Sequence, residues 1–168
     1  MSSNYGEGTA IDPATARGSD WPCLRQFCVF MENRVGRLHE LLRQIERHDL
    51  RIIALSVVDT VDFAVARLMV HDSDRAREIF ALSQFTVIEN DILGVELSDD
   101  SQPFVRIFQA LLSAEINISY TYPLLYHRRG PGAIAIHVDN IDQATRVLAS
   151  QGHHVLTEND ILNLDDYS

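Results

Sequence analysis

The sequence predicts an α+β chain of two tandem domains, each an antiparallel four-stranded sheet with two helices on one face. Three observations support this fold class. The order strand, helix, strand, strand, helix, strand is read twice along the 168 residues. The pentapeptide Glu89-Asn90-Asp91-Ile92-Leu93 recurs letter for letter at 158–162, and Asp74-x-Ala76 recurs as Asp142-x-Ala144. Because the two offsets are 69 and 68 residues, the repeated motifs are in register with the repeated elements.

The elements of the first repeat follow from the spacing of apolar residues. A strand from Leu24 to Met31 precedes a helix whose apolar positions have helical spacing and which closes near His48. Two strand-like runs come next, joined by a short polar connection, and a second helix and a fourth strand complete the repeat. These runs are Arg51 to Val58, Phe63 to Val70, the helix after Asp72-Ser73, and Phe85 to Ile88.

The second repeat has the same order of elements. A strand leads to a helix that opens at Pro103, a favoured residue in the first helical turn. The predicted strands are Ile92 to Leu97, Ile116 to Leu125, Ala133 to Val138 and Val155-Leu156, with a last helix that ends at Gly152. We therefore predict a flexible leader at 1–22, a first domain at 23–91, and a second at 92–168 with a short tail. The leader is poor in large apolar side chains, although Trp21 is a candidate anchor.

Composition excludes several functional classes. The formal charge is −10 and the basic residues form no cluster in the sequence, which opposes binding to nucleic acid or to an anionic membrane. No apolar run approaches the roughly 20 residues of a membrane span, and no secretory signal is recognised, so we expect a cytoplasmic protein. Cys23 and Cys28 are interpreted as reduced structural thiols. No metal site and no cofactor are expected, since the seven histidines lack ligand spacing.

Both faces of the predicted first sheet carry apolar side chains. In the first strand Phe27, Val29 and Met31 alternate with Cys28 and Phe30, which point to the opposite face. A sheet face that is wetted by solvent normally alternates apolar with polar residues. Something is therefore expected to cover the second face or to extend the sheet edges, either the sister repeat or another copy of the chain. We predict a homodimer.

The stretch from Glu32 to Leu38 is predicted to be a strand, a tight polar turn and the start of a helix. Backbone N–H groups at the positive end of a helix suit a small anion such as a carboxylate. The alternative is a plain turn, in which Gly36 permits the change of direction and Asn33 caps the helix.

Several motifs together resemble the ACT-domain family from about Leu24 to Leu162. They are Glu32-Asn33-Arg34-Val35-Gly36-Arg37-Leu38, Ile52-x-Ala54-Leu55-Ser56, Asp59-Thr60-x-Asp62-Phe63 and Ala114-Glu115-Ile116-Asn117-Ile118-x-Tyr120-x-Tyr122. The tandem form is similar to stand-alone amino-acid-binding ACT proteins. The resemblance implies two ferredoxin-like domains and an amino acid bound between domains, at the turn formed by Asn33, Arg34, Val35, Gly36, Arg37 and Leu38.

Two departures from the family pattern affect this expectation. Val35 stands where the family often has proline, so the turn is less preset by its sequence. The second repeat has Ser98-Asp99-Asp100-Ser101-Gln102-Pro103 instead of a glycine turn. Two carboxylates without a glycine repel another carboxylate, so the second turn is predicted to be structural or to bind something different.

Roles for the remaining candidates follow from the groups of an amino acid. The Asn33 amide, the backbone N–H groups of the turn, and Arg34 or Arg37 are candidates to hold the carboxylate. Asp59 and Asp62 are candidates for the ammonium group, although both also suit an ordinary turn. Tyr120 and Tyr122 point to one face, where they either cover the ligand or pack in a core or an interface.

Two functional hypotheses remain open. In the first, a non-enzymatic protein senses an amino acid and changes its packing, and thereby acts on an unidentified partner protein. In the second, the repeats form an assembly module that dimerises or docks onto an enzyme or transporter without a ligand. We expect no enzymatic activity, because no nucleophile with a recognisable base is found in the sequence.

Overall fold

The computed structural model of the chain describes residues 10–11, 18, 20–128 and 131–163. These residues form two compact units. Unit 1 contains Gln26–Asn90 together with a short strand at Ala10–Ile11, and unit 2 contains the described residues of 17–25 and 91–168. Among the described residues, no helix combines the length and apolar character needed to cross a membrane.

Unit 1 is a four-stranded sheet with two helices on one face. Its elements are β1 (Ala10–Ile11), β2 (Leu24–Glu32, within this unit from Gln26), α1 (Arg37–Arg47), β3 (Ile52–Asp59), β4 (Phe63–Val70), α2 (Ser73–Ala81) and the first part of β5 (Thr86–Glu96). The strand order is β3-β4-β2-β5, and β4 is antiparallel to both of its neighbours. The strand β1 pairs in parallel with β5 at Ile88 and Glu89.

The core of unit 1 lies between the sheet and the two helices. Leu41 and Ile45 of α1 are buried on the same side as Ala76 and Phe80 of α2, as their helical spacing dictates. The ring of Phe80 packs on Phe27 of β2 with centroids 5.2 Å apart. Glu89 of unit 1 is fully buried. Its carboxylate accepts hydrogen bonds of 2.8 and 2.6 Å from the Arg77 guanidinium. This pairing raises the pKa of the Arg77 guanidinium, chiefly through the hydrogen bonds to Glu89.

Unit 2 repeats the arrangement with a shorter fourth strand. Its elements are the second part of β5, α3 (Pro103–Ser113), β6 (Ile118–Leu124), β7 (Ala133–Val138), α4 (Ile141–Ser150) and α5 (Glu158–Leu162). The strands β5 and β6 flank β7 in antiparallel pairs, and a single bridge joins Val95 to Val155. Gly94 allows a close approach in this unit, since a Cβ there would overlap with Leu24 and lie 3.4 Å from Leu124.

The predicted fold class is confirmed, with three corrections to its elements. The strands expected at 85–88 and 92–97 are one strand, β5, which belongs to unit 1 as far as Asn90 and to unit 2 from Asp91. The last predicted strand is reduced to the Val155 bridge. The repeated pentapeptide takes two conformations, because 89–93 lies in β5 whereas 158–162 is the helix α5.

Most of the predicted leader at 1–22 lies outside the described residues. Within it, Ala10–Ile11 forms a strand, which the sequence did not predict. The Trp21 side chain is 46% exposed, and its backbone N–H donates to the carbonyl of Gly18 at 3.0 Å. The two cysteines are free and buried, and burial raises the pKa of the Cys28 thiol.

Candidate functional site

The turn between β2 and α1 is built around the backbone conformation of Gly36. This residue has φ of 97° and ψ of −20°, and it is the N-cap of α1. A positive φ of this size favours glycine, and a Cβ added there would meet nothing within 4 Å. The helix therefore begins at an exposed point, with open space in front of its N-terminus.

Asn33 ties this turn to the neighbouring hairpin. Its Nδ2 donates a hydrogen bond of 2.9 Å to the carbonyl of Thr60, which lies 27 residues further along the chain. Thr60 in turn orders the connection between β3 and β4, since its N–H and its hydroxyl donate to the Phe63 carbonyl at 2.9 and 2.7 Å. Asn33 does not cap the helix, so the cap that the plain-turn alternative assigned to it is wrong, whereas the role of Gly36 in that alternative stands. One of the two amide N–H donors of Asn33 is used by the Thr60 carbonyl, and the predicted contact with a carboxylate would use the other.

The backbone donors of the turn divide into two groups. The N–H of Arg34 donates to the Glu32 carbonyl at 2.8 Å, and that of Arg37 donates to the Arg34 carbonyl at 3.4 Å. The N–H groups of Arg34 and Arg37 are therefore used within the turn, and the Arg37 N–H is no longer a candidate donor to an anion. The first turn of a helix leaves its N–H groups without an acceptor inside the helix, which applies to those of Leu38 and His39. Together with the positive helix end, they form the donor side of the site.

The side chains of the turn have different environments. Val35 is fully exposed, and the exposed Arg34 pairs with Glu32 at 3.3 Å. Arg37 is directed elsewhere, because it pairs with Glu40 at 2.5 Å and its guanidinium carbon lies 4.7 Å from the centre of the Phe85 ring. Leu38 packs against the core of unit 1. Arg34 and Val35 are therefore exposed side chains of the turn, whereas Arg37 and Leu38 contact other parts of unit 1.

The structure brings the two candidate aspartates close to this turn. Asp59 ends β3 and faces Ala64 across the hairpin, and Asp62 precedes β4. Both carboxylates are exposed, and within the described part of the chain neither has a cationic partner. Because Asn33 binds the Thr60 carbonyl between them, a helix N-terminus and two free acids meet at one end of the unit 1 sheet.

Tyr120 and Tyr122 lie in unit 2, whereas the turn lies in unit 1. Their rings stack with centroids 6.3 Å apart, and Tyr120 stacks on His137 of β7 at 4.7 Å. Tyr122 is buried. These contacts agree with the packing alternative for both residues. The sequence did not associate His137 with them, because its place beside Tyr120 depends on the pairing of β6 with β7.

The second turn supplies its own anion. The Asp100 carboxylate accepts hydrogen bonds from the Ser98 hydroxyl and, at 2.8 Å, from the Gln102 N–H at the start of α3. The Ser98 hydrogen bond is the main reason that the pKa of Asp100 lies below its ordinary value, and the Gln102 N–H adds to it. The second turn thus already holds a carboxylate at the N-cap residue of α3. The described residues contain no cluster of three His, Cys, Asp or Glu side chains suited to a metal ion.

Comparison with known proteins identifies the family of this chain. A Bacteroides thetaiotaomicron protein of known structure superposes with a TM-score of 0.76 at 23% identity, over 84% of this chain and 97% of that chain. The ligand-free regulatory subunit of aspartate kinase from Thermus thermophilus superposes with a TM-score of 0.54 at 15% identity, over 80% and 96%. Both likenesses concern the fold. No curated protein sequence matches the chain. The family model described as an ACT domain pair matches residues 23–165, and the chain therefore belongs to the ACT-domain family.

Proposed function

We propose that this protein is a non-enzymatic regulatory protein that binds an amino acid at the Asn33–Leu38 turn. One observation carries the proposal. The Asn33 side chain ties an exposed helix N-terminus to the hairpin that carries the exposed carboxylates of Asp59 and Asp62. An amino acid presents a carboxylate, which suits the helix N-terminus, and an ammonium group, which suits an acid. The regulatory role of the Thermus thermophilus subunit, which has the same fold, supports the proposal.

Each part of the turn has a defined role in this proposal. The N–H groups of Leu38 and His39 hold the ligand carboxylate, and the positive helix end strengthens this contact. The Arg34 guanidinium adds charge, and Asp59 or Asp62 receives the ammonium group. The ligand side chain extends over Val35 towards a neighbouring domain or a second copy of the chain. The protein acts in the cytoplasm, where its free cysteines stay reduced, and it regulates a partner protein that is not identified.

A thermal-shift panel of the amino acids tests the proposal. Binding to the native state by one or a few amino acids raises the melting temperature, since a ligand at 100 times its Kd contributes about 2.7 kcal/mol. Gly36→Asp places a carboxylate in front of the helix and should abolish the shift. Gly36→Asn is the matched control, because asparagine has nearly the same shape, carries no charge and tolerates a positive φ. It should keep a measurable shift.

Two outcomes would overturn the amino-acid site. If no amino acid of the full panel changes the melting temperature of the wild-type chain, the chain binds none of them. If Gly36→Asp shows the same shift in melting temperature as the wild-type chain, the amino acid does not bind at this turn. Asp59→Asn combined with Asp62→Asn separates the two halves of the site. This variant should weaken binding of the amino acid while leaving the helix N-terminus unchanged.

A second candidate function is an assembly module that binds no ligand. It is favoured by the exposed apolar side chains Leu55, Val57, Val58 and Phe63, which lie on β3 and at the start of β4. Exposed apolar residues along a strand at a sheet edge are typical of an interaction surface. A chain that forms a stable dimer or complex, and whose melting temperature responds to no amino acid, would support this function over the first.

A further inference from the structure

A groove of about 360 Å³ in unit 1 lies between α1 and the segment that follows α2. We call it the basic groove, because it is lined by Arg37, Arg43 and Arg47 of α1 and by His48, the C-cap of that helix. Glu40 is the single acid among the described residues that line it. The opposite wall is neutral and includes Ser83 and Phe85. The volume lies in the range of small-molecule sites, from about 300 to 1,000 Å³. Gly36 is not among the described residues that line this groove.

The charge of the basic groove is unusual for this chain. The formal net charge is −10, yet three guanidinium groups converge on one helix face with a single carboxylate among them. Within the part of the chain that the structure describes, neither Arg43 nor Arg47 has an acidic partner. These two residues are four apart, so their like charges destabilise the helix. Arg47 gains something from the helix C-terminus, but Arg43 does not.

Arg37 forms one end of the groove and has an unused donor. Its guanidinium is held by Glu40 and by the Phe85 ring, so its position is fixed. Its Nε is buried and makes no hydrogen bond within the described residues. Because this atom is buried, the outer nitrogens of the guanidinium are the ones that a ligand in the groove can reach. A cation of fixed position is therefore present beside Arg43 and Arg47, which have no acidic partner among the described residues.

Unit 2 provides an internal comparison. The helix α3 begins and ends 66 residues after α1, and a groove of about 250 Å³ lies at the equivalent place. Where the first groove has Arg37, Arg43 and Arg47, the second repeat has Pro103, Gln109 and Ser113. Arg106 is the only arginine that lines the second groove. The groove itself is thus a consequence of the fold, whereas the set of arginines is particular to unit 1.

We propose that the basic groove binds a small phosphorylated molecule. Guanidinium groups match phosphate oxygens in paired hydrogen bonds, and each phosphoryl group carries close to two negative charges at neutral pH. Three guanidinium groups and one imidazole line a groove of about 360 Å³, so a matching ligand is compact and carries several negative charges. Phosphoryl groups meet this requirement with fewer atoms than carboxylates do. The Phe85 ring and the Ser83 hydroxyl are available to the rest of the ligand.

Calorimetric titration of the full chain with inorganic pyrophosphate at low ionic strength tests this proposal, because salt screens exposed charges. The wild-type chain should bind pyrophosphate saturably. The variant Arg43→Gln combined with Arg47→Ser transfers the residues of unit 2 into unit 1, and it should weaken binding at least tenfold. Two single-charge controls lie outside the basic groove. Arg106→Gln alters the unit 2 groove and Arg75→Gln alters the exposed first turn of α2. Neither control should change the affinity by more than about twofold, the scale of a weak surface charge effect.

Three results would overturn the proposal. The first is the absence of saturable binding in a wild-type chain whose fold is verified by circular dichroism. The second is equal weakening by Arg75→Gln and by the groove variant, which would reduce the effect to general attraction between charges. The third is binding of citrate as tight as that of pyrophosphate, which would assign the groove to polycarboxylates. None of these results depends on whether the Gly36 turn binds an amino acid.

Discussion

The turn residues illustrate what single positions do and do not reveal. Gly36 could be predicted, because a glycine between a strand and a helical pattern indicates a positive φ, and the structure has φ of 97° there. The role of Asn33 could not be predicted. Asparagine before a helix is typical of a cap, and its actual acceptor, the Thr60 carbonyl, is 27 residues away in sequence. The same limit applies to Arg37, whose partners include Phe85 from a distant part of the chain.

The Asp100 carboxylate leads to a prediction about pH. Because the pKa of Asp100 is lowered in the folded chain, its ordinary value of 3.8 is the upper limit for a titration followed by NMR. A depressed carboxyl pKa stabilises the fold above the unfolded value, and this contribution is lost as the pH falls below about 4 through the folded pKa. Ser98→Ala removes the main hydrogen bond, so the measured pKa of Asp100 should rise towards 3.8.

Ser101→Ala is the control for this titration. Ser101 lies in the same exposed turn, and the described residues give it no hydrogen bond to Asp100. The pKa of Asp100 should therefore stay low in Ser101→Ala. An Asp100 pKa that is equal in Ser98→Ala and in the wild-type chain would contradict the assigned cause.

At the level of elements, the two copies of the repeated pentapeptide show that the same five residues form a strand in one place and a helix in another. In β5, Glu89 pairs with Arg77 and Asn90 accepts a hydrogen bond of 3.0 Å from Gln26. In α5, the same residue types bind other partners, since Glu158 accepts from the Arg25 N–H and the Asn159 amide donates to the Asp20 carboxylate. The hydrophobic periodicity that predicted most helices and strands cannot determine the conformation of a segment of five residues. Their neighbours decide instead.

The residue that precedes each copy explains the difference. Ile88 continues a strand, whereas Thr157 starts a helix with a complete capping box. The Thr157 hydroxyl accepts from the Asp160 N–H at 3.2 Å, and the Asp160 carboxylate accepts from the Thr157 N–H at 2.9 Å. The sequence contained this signal, but the periodicity of apolar residues predicted no element for 158–162. A repeat of sequence is therefore weaker evidence for local conformation than a cap.

Thr157→Val tests the cap without a change of shape. It removes the hydroxyl acceptor and should lower the free energy of unfolding by about 1 kcal/mol, the usual cost of losing an N-cap. Urea denaturation measures the change. Thr121→Val is the matched control, because Thr121 is exposed on β6, where a β-branched residue fits a strand, and its stability should change by less than about 0.5 kcal/mol. Equal effects of the two substitutions would show that the hydroxyl of Thr157 does not determine α5.

At the scale of the whole molecule, the sequence indicated the fold class through periodicity and repetition. It also indicated that the sheet face opposite the helices carries apolar side chains. Cys28 and Met69, on the face opposite the helices, are buried, whereas Phe30 and Val65 are partly exposed. Val58 and Phe63 on that face are 45% and 46% exposed. What the sequence could not specify is which strand forms the edge. The structure places β3 at one edge, and the outer side of this strand has no strand partner among the described residues.

This edge supports the prediction of a homodimer. A strand edge with unpaired backbone groups and exposed Leu55, Val57 and Val58 is suited to pair with a second copy. Light scattering coupled to gel filtration should give a wild-type mass of twice the 19.0 kDa chain. Val58→Lys places a charge at this edge and should return the mass to that of one chain. Val105→Lys is the control, because Val105 is 44% exposed on α3, away from any sheet edge, and this variant should remain a dimer.

The dimer prediction also connects to the ligand site. The edge strand β3 ends at Asp59, beside the hairpin that Asn33 holds. A ligand that completes a site at this edge binds the dimer better than the monomer, so by mass action it must favour association. Dissociation on dilution should then require lower protein concentrations when the binding amino acid is present, and Gly36→Asp should remove this difference without dissociating the dimer. If the dimer dissociates at the same protein concentration with and without the bound amino acid, ligand binding and dimerisation are not coupled.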